Sequence, residues 1–108
     1  RDKEKRPLMG STAASLSSKV IFTSDNPRDE EPDKIIQHIT AGVNPIDFKK
    51  IMCVTLRKEA IKVACQMSKP GDIILIAGKG HENYQEIKGK RYPFDDFKIA
   101  KEIFSKIL

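Results

Sequence analysis

Apolar positions along this chain switch between two rhythms. Apolar runs at Val20-Ile21-Phe22-Thr23-Ser24, Ile51-Met52-Cys53-Val54 and Ile73-Ile74-Leu75-Ile76-Ala77 read as strands, the second weaker and the third strong, and the continuous character of the first suits a strand covered on both faces. Between them, apolar residues recur at helical spacing. A first helix is predicted over residues 7–17, where Pro7 suits the opening turn and Leu8, Met9, Ala13, Ala14 and Leu16 follow. Pro32 opens a second helix with Ile35, Ile36, Ile39 and Thr40 inward and Gly42 as its stop. A third, over residues 57–68, aligns Ala60, Ile61, Ala64 and Cys65, and Pro70-Gly71-Asp72 turns into the last apolar run.

Beyond that point the pattern changes. Residues 84–94 read as a hairpin around Lys88-Gly89-Lys90. Asp95 or Asp96 caps a final helix in which Phe97, Ala100, Phe104 and Ile107 share a face. Alternating helices and strands predict an α/β fold, a Rossmann-like, mostly parallel sheet flanked by helices with a C-terminal hairpin. Such a sheet ordinarily starts with a strand, and this chain starts with a helix. The sheet is therefore expected to lack its first strand.

Composition narrows the classes. The 108 residues fit one domain, and 39% hydrophobic with 32% charged residues is ordinary for a soluble protein. No apolar run approaches the roughly 18 residues of a membrane span. Residues 1–6 have no apolar region behind them and do not form a signal peptide. The formal net charge of +5 could attract nucleic acid, but the bases are scattered and not interleaved with aromatics, so solvated lysines account for it. Cys53 and Cys65 fit no metal or redox spacing and read as small buried apolar residues in a reducing compartment.

The candidate chemistry sits in two loops that follow strands. Asp25-Asn26-Pro27-Arg28 offers a guanidinium fork suited to a carboxylate, with Asn26 beside it and Pro27 stiffening the backbone. A plain loop in which Arg28 pairs with Asp29 or Glu30 accounts for the same residues. Gly78-Lys79-Gly80-His81-Glu82 allows close approach to its backbone, and Glu82 can receive an ammonium. Lys79 reads as an exposed anion contact or a solvated side chain. His81 is an acid, base or orienting group, or simply structural. The loop is neither a Walker A sequence nor a dinucleotide fingerprint. No catalytic triad or metal site can be assembled. In an open parallel sheet both loops gather at the carboxyl ends of the strands, where ligands bind. An Arg and a Glu there suit a ligand with both carboxylate and ammonium.

Arg1-Asp2-Lys3 with Lys5-Arg6-Pro7-Leu8-Met9, then Thr23-Ser24-Asp25-Asn26-Pro27-Arg28, then Ala77-Gly78-Lys79-Gly80-His81-Glu82 with Tyr84-Gln85, resemble the C-terminal domain of the Mur ligases. The likeness covers essentially all 108 residues in the same order and is nearest to the members that use diaminopimelate. It implies that residues 1–108 are the amino-acid-substrate-binding domain, and that the central ATPase and N-terminal UDP-sugar domains are absent from the chain. It also implies that ATP phosphorylates the carboxylate of a UDP-N-acetylmuramoyl dipeptide, which the amine of the incoming amino acid then attacks. ATP and Mg2+ would be held mainly by the central domain, so this chain alone would not ligate.

By the same resemblance, Arg1, Asp25, Asn26, Pro27, Arg28, Gly78 and Glu82 hold meso-diaminopimelate, and Arg6 and Arg57 face the nucleotide. Lysine-adding relatives typically carry a small residue where Arg28 stands. The implied protein is a cytoplasmic monomer with no nucleic-acid or membrane partner. Two other readings remain at this stage: a non-catalytic amino-acid-binding α/β module, and a small basic nucleic-acid-binding module.

Overall fold

The chain's computed structural model describes residues 3–79 and 82–107. In order it forms α1 (Arg6–Leu16), β1 (Val20–Phe22), α2 (Pro32–Thr40), a short 3-10 helix (Pro45–Lys50), β2 (Ile51–Cys53), α3 (Arg57–Met67), β3 (Tyr84–Ile87), β4 (Lys90–Pro93) and α4 (Asp96–Ile107). The result is a mixed α/β fold. β1 and β2 pair in parallel, Val20 opposite Ile51 and Phe22 opposite Cys53. Two further bonds extend this pairing, Val54 N–H to the Phe22 carbonyl at 3.0 Å and Ser24 N–H to the Thr55 carbonyl at 3.2 Å. Residue 25 thus leaves the sheet at the carboxyl end of β1.

β3 and β4 form the expected antiparallel hairpin, with Lys88 and Gly89 at positive φ in its turn. A single parallel bridge between Arg28 and Ile87 joins it to the loop after β1. That bridge sets the site, because it ties the hairpin to the segment carrying Asp25 to Arg28.

The core lies where α1 and α2 cover β1. Ala14, Phe22, Ile36 and Val43 are buried, and Ala13, Val20, Ile39 and Ile51 pack against them. Small residues make the contact between α1 and α2. A Cβ on Gly10 would fall inside the van der Waals shell of the Ile39 carbonyl oxygen, and one on Gly42 would strike the Pro7 carbonyl. Leu8, Met9 and Leu16 of α1 consequently point outward. On α3 the expected stripe is in place, with Ala60, Ile61 and Cys65 buried. Asp95 caps α4, accepting from the Lys98 N–H at 3.1 Å.

Three expectations need correction. Residues 73–77 form no strand among the described residues: Ile74 and Ile76 are half-buried, but Ile73 and Leu75 are 95% and 87% exposed. An apolar run becomes a strand only when another strand takes up its backbone groups, and no described strand lies beside it. Phe97 is 74% exposed, because α4 turns Ile99, Ala100, Ile103 and Phe104 toward the protein instead. Of the cysteines, Cys65 is buried but Cys53 is exposed on β2, whose outer edge is unpaired among the described residues. Burial raises the Cys65 thiol pKa.

Candidate functional site

The loop after β1 is held as one piece with residues 78–88. Pro27 is fully buried, so the backbone between Asn26 and Arg28 is fixed by packing as well as by its ring. Asn26 stands at the centre. Its Oδ1 accepts from the Glu86 N–H at 2.8 Å and from Lys79 Nζ at 3.2 Å, and its Nδ2 donates to Glu82 Oε1 at 3.3 Å. The Asp25 carbonyl accepts from Gln85 Nε2 at 2.7 Å. Gly78 adopts φ 111°, where a side chain would be strained, and its Cα faces the Asp25 carboxylate.

Arg28 itself sits at φ 56°, a left-handed conformation that costs a non-glycine residue ~1–3 kcal/mol. The hairpin holds it there. Arg28 N–H donates to the Glu86 carbonyl at 3.1 Å, and Lys88 N–H donates to the Arg28 carbonyl at 2.7 Å. Its half-buried guanidinium lies with Nε 3.6 Å from Glu86 Oε2 and Nη1 3.5 Å from the Asn26 carbonyl. It pairs with neither Asp29 nor Glu30. A cation and the Glu82 carboxylate are thereby both referred to Asn26, and Glu82 is completed by the Tyr84 hydroxyl at 3.5 Å. Arg91 stacks over the Tyr84 ring at 4.3 Å from its centroid and lies 3.8 Å from Glu86.

Lys79 is not the exposed or solvated lysine the sequence implied. Its side chain is 0% exposed, with Nζ 2.8 Å from Asp25 Oδ1 and 2.6 Å from the Tyr84 carbonyl that accepts from it. The Asp25 contact is an ion pair whose angles lie outside hydrogen-bond geometry. The Phe94 ring lies 5.7 Å away. The lysine is buried because a carboxylate neutralises it and two oxygens solvate it.

The two arginines expected on a nucleotide side are also buried and paired. Arg57 donates from Nε to Asp96 Oδ1 at 2.8 Å and from Nη2 to Asp96 Oδ2 at 2.7 Å. It also donates to the Ser24 carbonyl at 3.3 Å and the Ala77 carbonyl at 2.9 Å. Arg6 donates to Glu30 Oε2 at 2.7 Å and Oε1 at 3.1 Å, and its Nη1 lies 3.3 Å from His38 Nδ1. The Arg6 hydrogen bonds hold the Glu30 carboxyl at a pKa of about 2. In this arrangement neither guanidinium faces outward.

The structure therefore brings Asp25, Asn26, Pro27, Arg28, Gly78 and Glu82 together. Arg1 and His81 lie outside the described residues. Sequence reasoning missed Lys79, Glu86 and Asp96 as the residues that hold this loop cluster in place. Glu86 was findable in part, since hairpin alternation puts it on a defined face; Asp96 was visible only as a helix cap.

Comparisons with known proteins place the chain in a family. The sequence pattern of the family described as Mur ligase, glutamate ligase domain, matches residues 1–80. The UDP-N-acetylmuramoyl-L-alanyl-D-glutamate–2,6-diaminopimelate ligase of Bacteroides thetaiotaomicron is 56% identical over 105 residues, covering 97% of this chain and 22% of the relative. The enzyme of the same name from Aquifex aeolicus is 55% identical over 103 residues, covering 95% of this chain and 21% of the relative. A solved structure of a ligase with that name superimposes with a TM-score of 0.92 at 42% identity, covering 99% of this chain and 22% of the other. The chain thus spans about a fifth of the length of these relatives, and it belongs to the Mur ligase family.

Proposed function

We propose that this chain is the amino-acid-recognition domain of a cytoplasmic, ATP-dependent ligase of peptidoglycan synthesis, one that adds meso-diaminopimelate to UDP-N-acetylmuramoyl-L-alanyl-D-glutamate. The observation that carries the reading is the joint anchoring of Arg28 and Glu82 on Asn26. The distal end of meso-diaminopimelate carries a carboxylate and an ammonium on one carbon. Arg28 takes the carboxylate through its planar fork, Glu82 takes the ammonium, and Gly78 lets the ligand approach the backbone. Asp25, Asn26 and Pro27 shape the loop, and Arg1 is assigned to the same ligand.

Specificity follows from charge. L-lysine has the ammonium but no distal carboxylate, so binding it would cover Arg28 without satisfying it. Glu86 at 3.6 Å compensates the guanidinium only partly. The described residues hold no cluster of three or more metal-ligating His, Cys, Asp or Glu side chains, and Arg6 and Arg57 are paired internally. ATP and Mg2+ are assigned mainly to parts of the ligase outside this chain. None of the described helices is long and apolar enough to cross a membrane.

The test is the acceptor preference of a complete ligase carrying this chain, followed by phosphate release from ATP. The expected result is turnover with meso-diaminopimelate and a kcat/KM for L-lysine lower by about 10²-fold or more. Equal use of the two amino acids would overturn the reading.

A further inference from the structure

We propose that Lys79 is a positioning residue for the amino acid site, acting through the Asn26 carboxamide on Glu82. The inference rests on the reading of this cluster as the meso-diaminopimelate pocket. A lysine with a fully covered side chain needs a reason to be there, since burying a cation is costly unless it is neutralised and hydrogen-bonded. Asp25 supplies the charge, and the Tyr84 carbonyl and Asn26 Oδ1 supply the acceptors.

The third contact has a directional consequence. A carboxamide has one oxygen face and one nitrogen face. With Lys79 Nζ at 3.2 Å and the Glu86 N–H at 2.8 Å both donating to Oδ1, the amide group must turn Nδ2 toward Glu82. Nδ2 then meets Glu82 Oε1 at 3.3 Å. Among the described residues Glu82 is met by two neutral side-chain donors, this amide and the Tyr84 hydroxyl, so its negative charge is oriented but not cancelled by them. An ammonium is the complement of such a carboxylate. Lys79 never touches the ligand; it fixes which way Asn26 points, and Asn26 fixes where the Glu82 oxygens lie.

The experiment is steady-state kinetics on a complete ligase carrying this chain, with Lys79→Met, Asn26→Ala, the double variant and Arg28→Ala. Lys79→Met is expected to raise the KM for meso-diaminopimelate about tenfold, the size of one hydrogen bond to a charged group, while the KM for ATP stays unchanged. Asn26→Ala is expected to do the same. The double variant should be no worse than Asn26→Ala, because the effect of Lys79 passes through the amide. Multiplying effects in the double variant, or an unchanged meso-diaminopimelate KM in Lys79→Met, would overturn the proposal.

Should Lys79→Met fail to fold, Asn26→Asp carries the test. It keeps an acceptor for Lys79 and Glu86 but replaces the donor facing Glu82 with an anion. Its meso-diaminopimelate KM must rise, and an unchanged value overturns the proposal. Arg28→Ala separates the two levels. If it raises that KM while the Lys79 and Asn26 variants do not, only the positioning role fails. If Arg28→Ala also leaves it unchanged, the reading of the pocket fails and the positioning role with it.

Discussion

Arg57 and Asp96, 39 residues apart in sequence, form a buried two-bond clamp between the first residue of α3 and the first residue of α4. The same guanidinium holds the Ser24 and Ala77 carbonyls, so one side chain joins both helices to the ends of both site-bearing segments. Removing it leaves the Asp96 carboxylate buried without its partner, a loss of ~3–5 kcal/mol. Arg57→Met should therefore lower the urea midpoint sharply, and Arg57→Lys should not restore it, because a lysine cannot reproduce the fork. A stable variant with only a weakened ATP response would instead return Arg57 to the nucleotide side.

Glu30 gives the fold a pH dependence at the acid end. Its carboxyl is held at about 2 in the folded protein, first by the Arg6 hydrogen bonds, against an ordinary value of 4.5. The unfolded chain then binds more protons than the folded one across that interval, so stability rises with pH there. The contribution is fully present above about pH 4.5 and is lost as pH falls through about 2. Acid titration of stability, compared between the native chain and Glu30→Gln, should show the two curves converging toward the low end. Parallel curves would mean that the Arg6 pair has no such effect.

Gly10 sets two effects against each other. Alanine in mid-helix is favoured over glycine by ~1 kcal/mol. A Cβ at this position, however, would collide with the backbone of Ile39, which cannot swing aside as a side chain tip would. Overpacking of that kind costs ~1–3 kcal/mol or more, so Gly10→Ala should destabilise despite its better helix propensity. A raised denaturation midpoint would show that α1 and α2 are not packed this closely.

What the sequence made legible follows from what is local. The first three helices, the turn at Lys88-Gly89 and the acidic cap of the last helix were readable because periodicity and turn chemistry are properties of neighbouring residues. Residues 73–77 show the limit: their apolar character is local, but pairing is not. The site divides the same way. Asp25 to Arg28 and Gly78 with Glu82 stood out as charged and glycine-bearing loops after apolar runs. Lys79 gave no sign of burial, because the carboxylate and carbonyl that bury it come from Asp25 and Tyr84, across two separate turns of the chain. Arg57, expected on the nucleotide side, likewise gave no sign of burial, because its partner Asp96 lies 39 residues further along the chain.

We propose that Arg28 reads the distal carboxylate of the amino acid acceptor. The most direct test is the ratio of kcat/KM for meso-diaminopimelate to that for L-lysine, in a complete ligase carrying this chain and in its Arg28→Ala variant. The variant is expected to lose ~3 kcal/mol of discrimination, roughly 10²-fold, almost all of it on the meso-diaminopimelate side. An unchanged ratio in a folded, active variant would contradict it.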